Sequence, residues 1–149
     1  MAEVLIATDS EQLFRELNSI IGGADITVRG VRAGVEVRGA VEDDPPDLVV
    51  LDLQIGNMGG MAVCLDLRLE EGMDRIPRLP VIMLLDRRAD VFLARRADAQ
   101  GWLVKPLDPL RVRRAVRAVL DGGTFYDESF LPNPVAVGTA SSTIADSGK

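Results

Sequence analysis

The chain has no histidine. It therefore has no imidazole to act as a general base or to carry a phosphoryl group. Cysteine occurs once, at Cys64, which excludes an internal disulfide and fits a reducing, cytoplasmic setting. Lysine is nearly as scarce: Lys105 is the one internal lysine among 15 arginines, and Lys149 ends the chain. No apolar run approaches the roughly 20 residues of a membrane span. Met1-Ala2-Glu3 places no basic segment ahead of an apolar one, so neither membrane insertion nor a signal peptide is expected.

What remains is ordinary globular material. The 149 residues are 47% hydrophobic and 27% charged, enough for one domain with a real core. The net charge of −6 is unevenly spread: Asp86 to Arg117 holds nine basic residues against four acids, an excess of +5 on an otherwise acidic body. A polarised surface follows.

The stretch that organises the chain is Asp47-Leu48-Val49-Val50-Leu51-Asp52-Leu53, followed by a loop at Gly56-Asn57-Met58-Gly59-Gly60. A short apolar run closed by turn residues is a buried parallel strand. Asp52 then stands at its carboxyl end, where open α/β sheets place their sites. Glu3 to Thr8 is a first strand ending at Asp9. Asp9 or Ser10 caps the helix after it, whose apolar face is Leu13, Leu17, Ile20 and Ile21. Ile26-Thr27-Val28 is a second strand. Residues 31–41 fit either a strand or a helix, and helix is chosen because a parallel strand needs a crossover before it.

Further along, Met61, Cys64, Leu65 and Arg68 mark a helix to about Glu71, and Leu79 to Leu84 a fourth strand. A helix over 87–97, a fifth strand Gly101 to Val104 and a last helix with Val112, Ala115, Val116, Val119 and Leu120 inward complete the alternation. Residues 123–149 are expected as a flexible tail beyond a domain spanning 1–122. The fold class is α/β, a doubly wound five-stranded parallel sheet of order 2-1-3-4-5. In that order Asp9 and Asp52 lie at the neighbouring ends of the first and third strands, and Lys105 ends the fifth, on the far side of the third. Two carboxylates suit Mg²⁺, a nearby lysine suits a phosphoryl oxygen, and Asp52 is placed to act as a carboxylate nucleophile toward phosphorus.

From Val4 to about Leu120 the chain resembles a response-regulator receiver domain of two-component signalling. The resemblance is carried by Val4-Leu5-Ile6-Ala7-Thr8-Asp9-Ser10, by Pro46 to Asp52 with its Gly loop, by Pro80-Val81-Ile82-Met83-Leu84 and by Gly101-Trp102-Leu103-Val104-Lys105-Pro106. It implies a flavodoxin-like receiver fold, Asp52 as phosphoacceptor and Lys105 as the phosphate-contacting lysine. It also implies Mg²⁺ held by Asp9, Asp52 and the Gln54 carbonyl, and Trp102 in place of the aromatic residue whose rotation reports activation. Thr8 stands where the family has a first acid, Leu85 where it has the switch hydroxyl, Asp86 where a small residue is usual, and Gly56 where the loop has proline. The first two changes predict weak Mg²⁺ binding and a weak switch.

The function expected is a stand-alone atypical receiver acting through protein–protein contact, with phosphorylation of Asp52 weakened. The alternative is a phosphorylation-independent pseudo-receiver, a constitutive interaction module. Neither is an enzyme. A sensor kinase or another protein is the expected partner, with Arg95, Arg113, Arg114 and Arg117 on the contact face. A homodimer through the fourth helix, fifth strand and fifth helix is a further expectation. Nucleic acid is not expected, since no helix-turn-helix unit presents the basic stripe.

Overall fold

The apolar runs pair in the expected order, and one strand joins that the sequence did not announce. In a computed structural model, which describes residues 1–129, β1 (Ala2–Ala7), β2 (Ile26–Val31), β3 (Leu48–Asp52), β4 (Val81–Leu85), β5 (Gly101–Val104) and β6 (Phe125–Tyr126) form one parallel sheet. Its order is β2-β1-β3-β4-β5-β6. The sheet therefore has six strands rather than five. The sixth falls inside the segment expected as tail, and residues 130–149 of that segment lie outside the described residues.

The helices are α1 (Glu11–Ile21), α2 (Val37–Asp43), α3 (Gly60–Gly72), α4 (Val91–Arg96) and α5 (Pro109–Leu120). Ser10, not Asp9, caps α1: its hydroxyl accepts the Leu13 N–H at 3.1 Å. Asp108 caps α5 through the Arg111 N–H, with Pro109 at the first helical position. The ambiguous stretch 31–41 divides. Val31 closes β2, residues 34–36 make a single tight turn, and the helix starts only at Val37. α4 is also shorter than the expected 87–97, because its first residues form a similar turn at 88–90.

Alternation along the strands feeds two cores. Leu5, Ala7, Val49, Leu51, Val81, Met83 and Leu85 face α2, α3 and α4. Val4, Ile6, Leu48, Val50, Ile82, Leu84 and Leu103 face α1 and α5. β3 and β4 are buried along their whole length, as strands covered by helices on both sides must be. Right-handed crossovers with this order bring the carboxyl ends of β1, β3, β4 and β5 together on one rim.

Candidate functional site

Strand register builds the site. Ala7 pairs with Leu51, so the next rung sets Thr8 beside Asp52. The Thr8 hydroxyl donates to Asp52 Oδ2 at 2.8 Å. Both residues are only 3% exposed. Leu85 pairs with Val104, and Lys105 donates its N–H to the Leu85 carbonyl at 2.8 Å, which projects its side chain over the same rim. Lys105 Nζ reaches Asp52 Oδ1 at 2.9 Å.

Both oxygens of Asp52 accept hydrogen bonds. Oδ1 receives both Lys105 and the Gln54 N–H, the latter at 3.1 Å, and Oδ2 receives Thr8. A buried carboxylate needs such partners, since an unpaired charge in that setting is strongly unfavourable. Lys105 is divided in turn: Asp86 Oδ1 stands 3.0 Å from Nζ. Burial pulls the lysine's pKa down, but its bonds to Asp52 and Asp86 outweigh that and hold it above the ordinary lysine value. Lys105 is charged throughout the physiological range.

Asp9 is exposed, its Oδ2 accepting the Gly56 N–H at 3.0 Å in the loop that follows β3. The Gly56 loop is held by the Gly34 N–H on the Gly56 carbonyl at 2.9 Å. Gly60 lets α3 start directly against β3: a Cβ there would meet the Asp52 carbonyl oxygen and the Leu53 Cα at 2.7 Å. Gln54 itself lies exposed in the turn after β3.

Leu85 and Trp102, the positions expected as switches, share one apolar cluster. Leu85 is fully buried and Trp102 is 3% exposed, both on the α3–α4 side of the sheet. Tyr126 stacks on Trp102, with ring centroids 4.3 Å apart and planes 21° from parallel. Arg95 stands over the Trp102 ring at 5.4 Å. The arginines expected on one contact face separate. Arg113 and Arg117 line a cavity of 660 Å³ at the amino ends of the strands, between α1 and α5, with Asp25, Asp47 and Asp121 on its walls. Arg114 is exposed, and Arg111 turns toward Asp127 instead.

Sequence reasoning missed three members of this arrangement. In the sequence Asp86 stands only where a small residue is usual, and the structure makes it the second partner of Lys105. Tyr126 and Asp127 carried a faint signal, an aromatic pair and an acid just past Gly122-Gly123.

The family profile of the response regulator receiver domain matches residues 4–117. The chain belongs to this family. Over 119 residues it is 30% identical to the DNA-binding response regulator MtrA of Mycobacterium tuberculosis, a match covering 78% of this chain and 50% of that protein. It is 28% identical over 120 residues to the alkaline phosphatase synthesis transcriptional regulatory protein PhoP of Bacillus subtilis, covering 79% and 48%. The chain thus spans about half the length of these relatives. Among solved structures, a response regulator from Chloroflexus aurantiacus superposes with a TM-score of 0.74 at 23% identity, covering 80% of this chain and 98% of that one. The chemotaxis response regulator CheY4 of Vibrio cholerae gives 0.72 at 22%, with coverage of 80% and 98%. At those identities the structures speak for the fold alone.

Receiver domains are signalling modules of two-component systems and generally bind Mg²⁺ for phosphorylation. The donors that the resemblance implies for such a cation, Asp9, Asp52 and the Gln54 carbonyl, are of the right kind, all oxygen. They are one acid short, because the register position beside Asp52 holds a hydroxyl that donates to it. Among the described residues no three His, Cys, Asp or Glu side chains converge as a metal-holding group. Among those residues, too, no helix is long and apolar enough to cross a membrane.

Proposed function

We propose that this receiver works mainly as a protein-interaction module of a two-component system in the cytoplasm, with Asp52 a poor phosphoacceptor. The observation that carries the reading is the occupancy of Asp52, both of whose oxygens already hold proton donors. To attack phosphorus, Asp52 must present a free lone pair while the donor's bond to phosphorus breaks and its leaving group departs. Oδ2 is the more available oxygen, since it accepts one neutral hydroxyl and keeps a second lone pair where Oδ1 accepts an ammonium and an amide, but the hydroxyl bond draws charge from it and lowers its nucleophilicity. Releasing a hydrogen bond to a charged acceptor costs about 1.5–3 kcal/mol, roughly ten- to a hundredfold in rate.

Lys105 is the group to meet the transferred phosphoryl oxygens as a point charge. Its second bond, to Asp86, competes with that task. Asp9, Asp52 and the Gln54 carbonyl would hold Mg²⁺, which when bound offsets the negative charge of the phosphoryl group. With Thr8 uncharged, the attraction for the cation falls by one carboxylate.

Leu85 favours a second reading, a module independent of phosphate. A hydroxyl there would bond the phosphoryl oxygen, whereas Leu85 is packed in the core beside Trp102. Intact-mass measurement after incubation with Mg²⁺ and a small acyl phosphate separates the readings. A slow, partial gain of one phosphoryl group, lost in Asp52→Asn, supports the first. No gain supports the second, and rapid complete modification defeats both.

A further inference from the structure

α3 is apolar on two faces. Its inward side chains, Val63, Cys64 and Leu67, lie in the core against the sheet. Its outward side carries Ala62, Leu65 and Leu69, with Met58 just before the helix and Met73 just after it. Met58, Leu65, Leu69 and Met73 are 39–60% exposed. The spacing 62, 65, 69, 73 keeps to one helical stripe, so these side chains adjoin one another. The other exposed large apolar residues among the described ones stand singly on separate elements. A helix apolar all round is normally covered on both sides, and an uncovered apolar patch marks a contact surface.

Two features select what covers it. The acids beside the stripe are already paired. Asp66 is bound by Arg38 at 3.1 Å, Glu70 faces Arg38 and Arg75 at 3.7 and 3.4 Å, and Glu71 is bound by Arg68 at 2.7 Å. A strongly charged partner finds little to match there, whereas an apolar surface with the same paired rim meets no repulsion. The stripe also reads nearly the same in both directions: Met58, Ala62, Leu65, Leu69, Met73. About a two-fold axis beside Leu65, Ala62 falls opposite Leu69, small against large, and Met58 opposite Met73. A two-fold interface demands this kind of self-complementarity. We propose that α3 is the seam of a weak homodimer, its outer stripe packed antiparallel on the same stripe of a second copy. Such a patch is on the order of 400 Å² per copy, about half of what each partner gives a standard interface. The dimer should therefore form only at roughly 100 μM chain or above. This surface differs from the face of α4, β5 and α5. It requires neither Asp52 nor a phosphoryl group, and the inference stands apart from the proposed function.

Sedimentation of the full chain from about 10 μM to about 1 mM should show monomer passing to dimer. The dimer should persist at high salt, which screens charge but not apolar contact. Leu65→Glu/Leu69→Glu alters exposed side chains only and should stay monomeric throughout, and Leu65→Ser/Leu69→Ser serves if the charged pair disturbs folding. Phe92→Ser, on α4, should leave the dimer unchanged. Orientation is read by oxidising a mixture of Ala62→Cys and Leu69→Cys chains, one of them isotope-labelled. The mixed disulfide should exceed either like pair by about fivefold or more, because like positions stand about 10 Å apart along an antiparallel seam, beyond disulfide reach. Cys64 is buried, so native protein should give no cross-link. A chain that stays monomeric to about 1 mM, a dimer unaffected by the α3 changes, or cross-links with no preference for the mixed pair would overturn the proposal.

Discussion

The Thr8 hydroxyl donates to Asp52 Oδ2 at 2.8 Å, at the rung where the parallel register of β1 and β3 would otherwise set an acid against an acid. One substitution thus has two effects. It removes a negative charge from the rim, and it gives Asp52 an internal partner. Thr8→Val should lower stability by about 1.5–3 kcal/mol, the value of a hydrogen bond to a charged group. Thr8→Asp should be destabilised without divalent cation and should recover with Mg²⁺. Thermal melts with and without Mg²⁺ check this: a midpoint equally insensitive to Mg²⁺ in both proteins would deny Thr8 its role.

The shared lysine gives a pH dependence. Lys105 is held above its ordinary pKa by Asp52 and Asp86 against the pull of burial. A raised lysine contributes stability that is complete below the unfolded value near 10.4 and is lost as pH rises through the folded value. Unfolding free energy should therefore fall at strongly alkaline pH. Lys105→Met should be less stable at neutral pH and show a smaller alkaline loss, as denaturant melts at several pH values would reveal.

Cys64 supplies an independent probe of the core. It is fully buried, and burial pushes its thiol up to about 11. The thiolate is the reactive form, so a thiol reagent at pH 8 should modify native protein only as fast as it opens, and unfolded protein at once. Prompt modification of the folded chain would show that α3 is looser than its packing implies.

Asp127 tests how firmly β6 is seated. Burial raises its pKa, but the bonds from Ser129 and Val104 and the Arg111 charge outweigh this and set it below the usual carboxylate value. A depressed carboxylate contributes stability above the unfolded pKa near 3.9 and loses it as pH falls through the folded value. Trp102 emission should hold steady through pH 5 and change only below about pH 4. A transition near neutrality would contradict this seating.

Much of the fold was readable because continuous apolar runs such as Leu48 to Leu51 admit one interpretation when helical periods alternate with them. Asp52 and Lys105 were readable for the same reason, as polar residues ending such runs. Thr8 was readable as a missing charge. Its bond to Asp52 depends on which strands pair and in what register, which no local pattern states. Arg113 and Arg117 lie on one helical face in any reading, but only packing decides that they border the cavity beside the end of α1. β6 escaped because Phe125-Tyr126 is too short to show a period, and its hold comes from Arg88, Val104 and Arg111, all distant in sequence.

The central claim is that internal partners, not a missing nucleophile, restrain Asp52. The direct measurement is the initial rate of mass gain from a small acyl phosphate with Mg²⁺, in native protein and in Thr8→Asp/Asp86→Ala. That variant replaces the hydroxyl on Oδ2 with a cation-binding acid and frees Lys105 from its second carboxylate. The account predicts at least about a tenfold faster gain in the variant, abolished by adding Asp52→Asn. Equal rates in native protein and variant, with Asp52 modified in both, would contradict it.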